Sequence, residues 1–158
     1  MRPRFAAAVA AGLTAVLVAG CAGMGGGNES APPPALSHAD FVRAADRACE
    51  RNRRAEKAIP NPTDLASLIH GLQRAVPVLE HEIVTLRSLH PPSRDAAAFG
   101  RVLKDLDAQD LAGTQLIDSL SAHQVRRSKA LGRRLDTLGK QLRRLDRRLG
   151  LRACVKAV

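Results

Sequence analysis

Leu131 to Gly150 reads LGRRLDTLGKQLRRLDRRLG, and its leucines fall at positions 131, 135, 138, 142, 145 and 149, in alternating steps of four and three. That rhythm places every leucine on one stripe of an α-helix and leaves the arginines and lysines on the opposite face. Gly150 followed by Leu151 predicts a Schellman stop, with Leu151 folded back to pack on Leu145. The stretch is therefore one amphipathic helix that must bury its stripe against others.

Working back from it, the rest of the chain is also helical in period. Ser121 and Gln124 have capping-box spacing, which predicts a turn near residues 119–121 and the start of this last helix. The helix before it opens on Ser93 as its cap and carries Phe99, Leu103, Leu106, Ile117 and Leu120 on one face. A second helix starts after Thr63 and stops near Leu89, where His90, Pro91 and Pro92 follow; its stripe is Leu65, Leu72, Val76, Leu79, Ile83 and Leu86. Pro77 lies inside it and predicts a kink. The first helix is capped by Ser37, with Asp40 three residues on, and ends near Ile59 before Pro60 and Pro62. Its stripe is Phe41, Ala45, Ala48, Ala55 and Ile59. No stretch alternates as a strand does. The prediction is an all-α, antiparallel up-down four-helix bundle over residues 37–158.

The N-terminal part has a different composition. Met1 to Arg4 is cationic, Phe5 to Ala19 is uncharged, and Val18, Ala19, Gly20 and Cys21 resemble the lipobox of bacterial lipoproteins. Such a run is too short for an ordinary membrane span and suits a signal peptide over residues 1–20. The resemblance implies that Cys21 is lipidated and becomes the first residue, which places the domain outside the cytoplasm, anchored to the membrane. Residues 21–36, rich in glycine and containing three consecutive prolines, bury no apolar area and read as a tether.

Three cysteines are an odd number for an exported chain. With Cys21 assigned to lipid, Cys49 and Cys154 remain, either as a disulfide or as two buried thiols. In an antiparallel bundle the end of the fourth helix lies beside the start of the first, and Cys49 is about 16 Å up that first helix. An extended tail from Leu149 to Cys154 spans about the same distance. The matched reach favours the bridge.

At this point the chain resembles small, uncharacterised actinobacterial lipoproteins and secreted helical proteins. The likeness rests on Cys49 in the first helix, on LRSLHPP from Leu86 to Pro92, and on RRLGLRAC from Arg147 to Cys154. Those motifs are helix stops and a bridge, so the resemblance implies a fold and no activity.

Composition narrows the function classes. There is no tryptophan or tyrosine and only three phenylalanines, so aromatic platforms for sugars or single-stranded nucleic acid lack their parts. Basic residues outnumber acidic ones by 12 to 2 from Ala122 onward, against 13 of each before it, and this segment carries the whole net +10. Arg126, Lys129, Arg133, Lys140, Arg143, Arg144 and Arg147 lie opposite the leucine stripe. They read as a solvated face that complements the helix dipole, or as a surface for anionic lipid, wall polymer or an acidic protein. Nucleic acid suits the charge but not the topology of an exported chain, and none is expected as a partner.

Asn52 and Asp110 interrupt two predicted stripes at similar heights, with Arg134 flanking the fourth. They read as a buried polar layer that fixes helix register, or as the lining of a ligand pocket. His70 and His81 are eleven residues apart, about 16 Å, and cannot share one metal ion. No metal-ligand spacing or nucleophile elbow occurs, so no metal, no cofactor and no enzyme is expected. The expected protein is a non-enzymatic, lipid-anchored envelope module, structural or interacting; the alternative is a lipoprotein that holds an apolar or anionic ligand between its helices.

The lipid anchor gives a direct test. In a bacterium fed a labelled fatty acid the chain should carry label, and Cys21→Ser should lose it; equal labelling of both would exclude acylation at this residue.

Overall fold

A computed structural model describes residues 34–156. The signal segment, Cys21 and the tether as far as residue 33 lie outside the described residues. Four long helices follow in order: α1 (His38–Lys57), α2 (Leu65–Arg87), α3 (Ser93–Ser121) and α4 (Val125–Leu149). A single turn, α5 (Arg152–Val155), ends the described chain. Among the described residues there is no strand.

Local chemistry sets most boundaries. The Ser37 hydroxyl accepts from the Asp40 amide at 3.2 Å, satisfying one of the free donors of α1. Asp64 caps α2, and Ser67 closes a reciprocal capping box with it. At Gly150, with φ of 80°, the chain turns left-handed; Leu151 N–H donates to Asp146 at 2.8 Å and Gly150 N–H to Arg147 at 3.2 Å. This is the complete Schellman pair expected at the end of α4.

Two caps differ from expectation. Ser93 is the first residue of α3, preceded by Pro92 as cap, and makes no capping bond. Ser121 and Gln124 form no box. Instead His123 takes a left-handed φ of 54°, its N–H donates to Leu120 at 3.0 Å, and Gln124 N–H donates to Ser119 at 2.8 Å. The carbonyls at the end of α3 are thus satisfied by a second Schellman turn, which leaves no donor for the box to serve. Across it, the buried Ser119 hydroxyl meets that of Ser128 at 2.9 Å.

The core is concentrated at one end. Phe41 and Phe99 meet edge to face with centroids 4.9 Å apart, beside Ala45, Leu86, Val102, Leu142 and Leu149. At that end His38 Nδ1 lies 2.7 Å from Asp95 Oδ2, and Leu36 N–H donates to the His90 carbonyl at 2.8 Å. The starts of α1 and α3 and the end of α2 are therefore neighbours. Since α1 has 20 residues and α3 has 29, α1 stops about 13 Å short of the far end of α3. Burial follows: Leu65, first in the expected α2 stripe, is exposed, as are Leu111 and Val125. The α3 stripe is also rotated, with Ala98 and Val102 buried and Leu103 only partly so. In α1, Ala55 is exposed and the stripe continues through Cys49 and Asn52 instead.

Helix α1 packs on α2 and on the short α5, which in turn packs on α4. The tail is not extended, as its reach suggested, but coils into α5 after Leu151, which is 1% exposed. The Asp46 carboxylate of α1 accepts from the Ala153 amide at 2.8 Å, a cap for α5 supplied from another helix. One residue on, Cys154 is bonded to Cys49, with Cα atoms 5.0 Å apart and a sequence separation of 105.

Closing so long a loop restricts the unfolded chain by about 4 to 5 kcal/mol in the chain-entropy account. Reduction, or the double change Cys49→Ser and Cys154→Ser, should lower the melting temperature by more than ten degrees. An unchanged melting temperature would mean that α5 packing alone holds α1 in place.

Candidate functional site

Asn52 of α1 is the only expected member of the polar layer found at its centre, and it is 93% buried by virtue of a relative exposure of 7%. Around it stand Glu56, one turn further along α1, Glu82 of α2 and Asp146 of α4. Glu82 is 6% exposed and Asp146 3% exposed, both without an ion-pair partner among the described residues. Their positions follow from spacing. Glu82 is three residues after Leu79 and four before Leu86; Asp146 is four after Leu142 and three before Leu149. Each therefore occupies the buried stripe of its own helix, a signal present in the sequence once carboxylates are scored on the stripe as leucines are.

Burial is the main cause of their titration behaviour. Loss of water pushes Glu82 up to about 7, with the Glu56 and Asp146 carboxylates adding to the rise and the Asn52 amide opposing it. Asp146 is raised to about 7 by the same desolvation and by Asp46, against Arg147. Glu56 is raised by partial burial, moderated by the hydrogen bond that Asn52 Nδ2 donates to its Oε1 at 3.3 Å. The Asn52 Oδ1, on the other hand, is buried with no hydrogen-bond partner.

These groups line a cavity of about 60 Å³ roofed by the Cys49–Cys154 bond and walled by Val102, Leu106 and Leu142. It has room for a few water-sized groups. Asn52 and Glu82 also line a groove of about 360 Å³ between α1 and α2, bounded by Ala48, Ala55, Pro77 and Val78, with Arg51 and His81 at its sides. The small alanines of α1 open this groove opposite Pro77. Asn52 and Glu82 thus stand between the groove and the inner cavity.

The other expected layer residues are elsewhere. Asp110 faces Glu80 and Asp107, and burial followed by those two acids raises its pKa; its Oδ1 is buried and unpartnered. Arg134 is exposed and joins neither group. Rotation about the helix axis, which rise along the helix does not capture, turns Asp110 toward Glu80 of α2.

On α4, Arg126, Lys129, Arg133, Lys140, Arg144 and Arg147 are all exposed, and Arg143 is half-buried. The leucine stripe opposite them is buried or partly buried throughout. His70 and His81 are exposed on α2. Among the described residues no three His, Cys, Asp or Glu side chains gather closely enough to hold a metal ion. None of the described helices is long and apolar enough to cross a membrane.

Comparison of the chain with family models, with curated proteins and with solved structures finds no match.

The buried carboxyls set the direction of a pH response. Glu82 and Asp146 hold protons more tightly folded than unfolded, where ordinary values are 4.5 and 3.8. Their contribution to stability is full below about pH 4 and is lost as pH rises through 7. A carboxyl held that far above its ordinary range costs about 3 kcal/mol once it must ionise. The melting temperature should fall between pH 5 and 8.5, and Glu82→Gln should flatten the fall and raise stability at pH 8.5. A melting temperature that rises over this range would contradict the burial argument.

Proposed function

We propose that this chain is a lipid-anchored, extracytoplasmic envelope module without enzymatic activity, and that the outer face of α4 docks on an anionic surface. The observation that supports it is the row of exposed cations on a single rigid helix. From Arg126 to Arg147 the row extends about 31 Å, with the hydrophobic stripe on the opposite side committed to the core.

The spread of charge along α4 suits a surface rather than a small ligand. Like charges at Lys140, Arg144 and their neighbours repel along the helix, by a few tenths of a kcal/mol per pair, and a polyanion relieves all of these at once. Each cation near an anionic membrane contributes about 1 kcal/mol, within a Debye length of about 8 Å. The tether of residues 21–36 sets whether α4 comes that close to the membrane that the lipid on Cys21 supplies. Phosphate-bearing lipid head groups and phosphate-bearing wall polymers present the same chemistry to it.

The fragment from Ser37 to Val158 contains every described helix and both bridged cysteines. It should sediment with vesicles rich in anionic phospholipid and remain free of neutral ones, with binding weakening steeply as salt rises. Replacing Lys140, Arg143, Arg144 and Arg147 by glutamine should abolish sedimentation without changing helicity. Indifference of the unmodified fragment to anionic vesicles and polymers at low salt would reduce the face to a solvated one.

A further inference from the structure

Helix α1 changes character at Cys49. Up to that point Phe41, Ala45, Ala48 and Cys49 are buried. Beyond it the one buried side chain of the helix is Asn52, which is polar, and the one apolar residue, Ala55, is exposed. Just past the helix end, Ile59 is half-buried beside Gly71 of α2, and the Arg74 guanidinium donates to the Ala58 carbonyl at 3.4 Å. Open space borders this segment on two sides: the groove of about 360 Å³ along Ala48, Asn52 and Ala55, and another of about 280 Å³ beside Glu56 and Ile59. A helical segment that buries so little apolar area opens far more readily than the bundle as a whole.

What the segment covers is an acid. Glu82 of α2 is buried and, with Asn52, lines both the groove and the inner cavity. It is faced by Glu56 and Arg51 from α1, by His81 of its own helix and by Asp146 from α4, while α3 presents the neutral Gln109 and α5 the bonded Cys154. Of these, Glu56 and Asp146 oppose its ionisation. Arg53 and Lys156 stand on the outer side of Glu56.

We propose that residues 52–57 form a flap that swings away from α2, hinged at the Cys49–Cys154 bond, when Glu82 gives up its proton. The bond sets the hinge because it ties α1 to α5 three residues before Asn52. Closed, the flap keeps water from Glu82 and favours the neutral acid. Open, it restores hydration to the carboxylate and carries Glu56 away from it, so desolvation and repulsion act in the same direction. Opening also bares the cavity lined by Leu79 and Leu106, which converts the loss of a proton into exposed apolar surface.

Covered, Glu82 is raised to about 7 from an ordinary value of 4.5, to which it returns on exposure. Below pH 4.5 both states carry the proton and the flap is most firmly closed. From there to about pH 7 only the open state is ionised, and opening grows by up to about tenfold per pH unit before it levels off.

Hydrogen exchange of the full chain, with rates corrected for the intrinsic pH dependence of amide exchange, reads this opening. Protection of the amides of residues 53–58 is expected to fall by about tenfold or more from pH 5 to pH 7.5. It should stay below that of Leu138 and Leu142 in α4 at both values, and low urea should leave it unchanged, as it does for local openings that expose little surface. The amides of residues 45–49, on the tethered side of the bond, should exchange only through urea-sensitive unfolding. In Glu82→Gln, which keeps the shape of the side chain and has no proton to lose, the fall at residues 53–58 should shrink to less than about threefold. The proposal is overturned if protection at residues 53–58 does not change with pH, or if Glu82→Gln falls as far as the parent chain. It is equally overturned if urea lowers that protection in step with α4, which would assign the proton loss to unfolding of the whole bundle, or if residues 45–49 share the urea-independent exchange.

Discussion

Helix α1 is the element that the architecture has most difficulty holding, and the covalent bond from Cys49 to Cys154 is what holds it. Beyond Phe41, its buried face is built of the small or polar residues Ala45, Ala48, Cys49 and Asn52, which bury little apolar area each. It is also the shortest of the four long helices. The chain compensates at its other end. After the Schellman turn at Gly150, Leu151 drops into the core and α5 wedges against both α1 and α4. Asp46 then caps α5 from α1, so the same few residues provide packing, a hydrogen bond and a covalent link.

That closure also creates the interior polar layer. Asn52 is one turn beyond Cys49, and the bonded cysteines roof the cavity into which Asn52, Glu82 and Asp146 project. Leu151 and Cys154 of the tail line the same space as Asp146 and Glu82 and help to shut water from both carboxyls. With the tail in place they sit in a low-dielectric space close to other acids, and their protonation becomes coupled to the packing of α1. Stability and acidity therefore share one structural cause.

The molecule separates its charges by depth. Cations are placed on the outer face of α4, where they stay solvated, while the Glu82 and Asp146 carboxyls lie inside, where protonation makes them tolerable. The two arrangements act at different ranges. The basic face exerts a summed field that reaches about a Debye length into solvent. The acid layer works only by contact, through individual hydrogen bonds.

Much of this was legible in the residues themselves. The four helices, the cap at Ser37, the stop at Gly150, the buried leucine stripe of α4 and the pairing of Cys49 with Cys154 follow from period, turn chemistry and thiol parity, all of which are local or arithmetical. The basic face is equally a property of one helix, since it needs only the 100° step between residues. The acid layer is different in kind. Glu82 and Asp146 are recognisable on their own stripes, but which of them meets Asn52, and that Asp110 and Arg134 do not, depends on how each helix is rotated about its axis. Likewise, the coiling of the tail into α5 and the left-handed His123 are decided by packing and by the carbonyls left over at a helix end. Sequence period fixes which face of a helix is buried; only the assembled bundle fixes what that face is buried against.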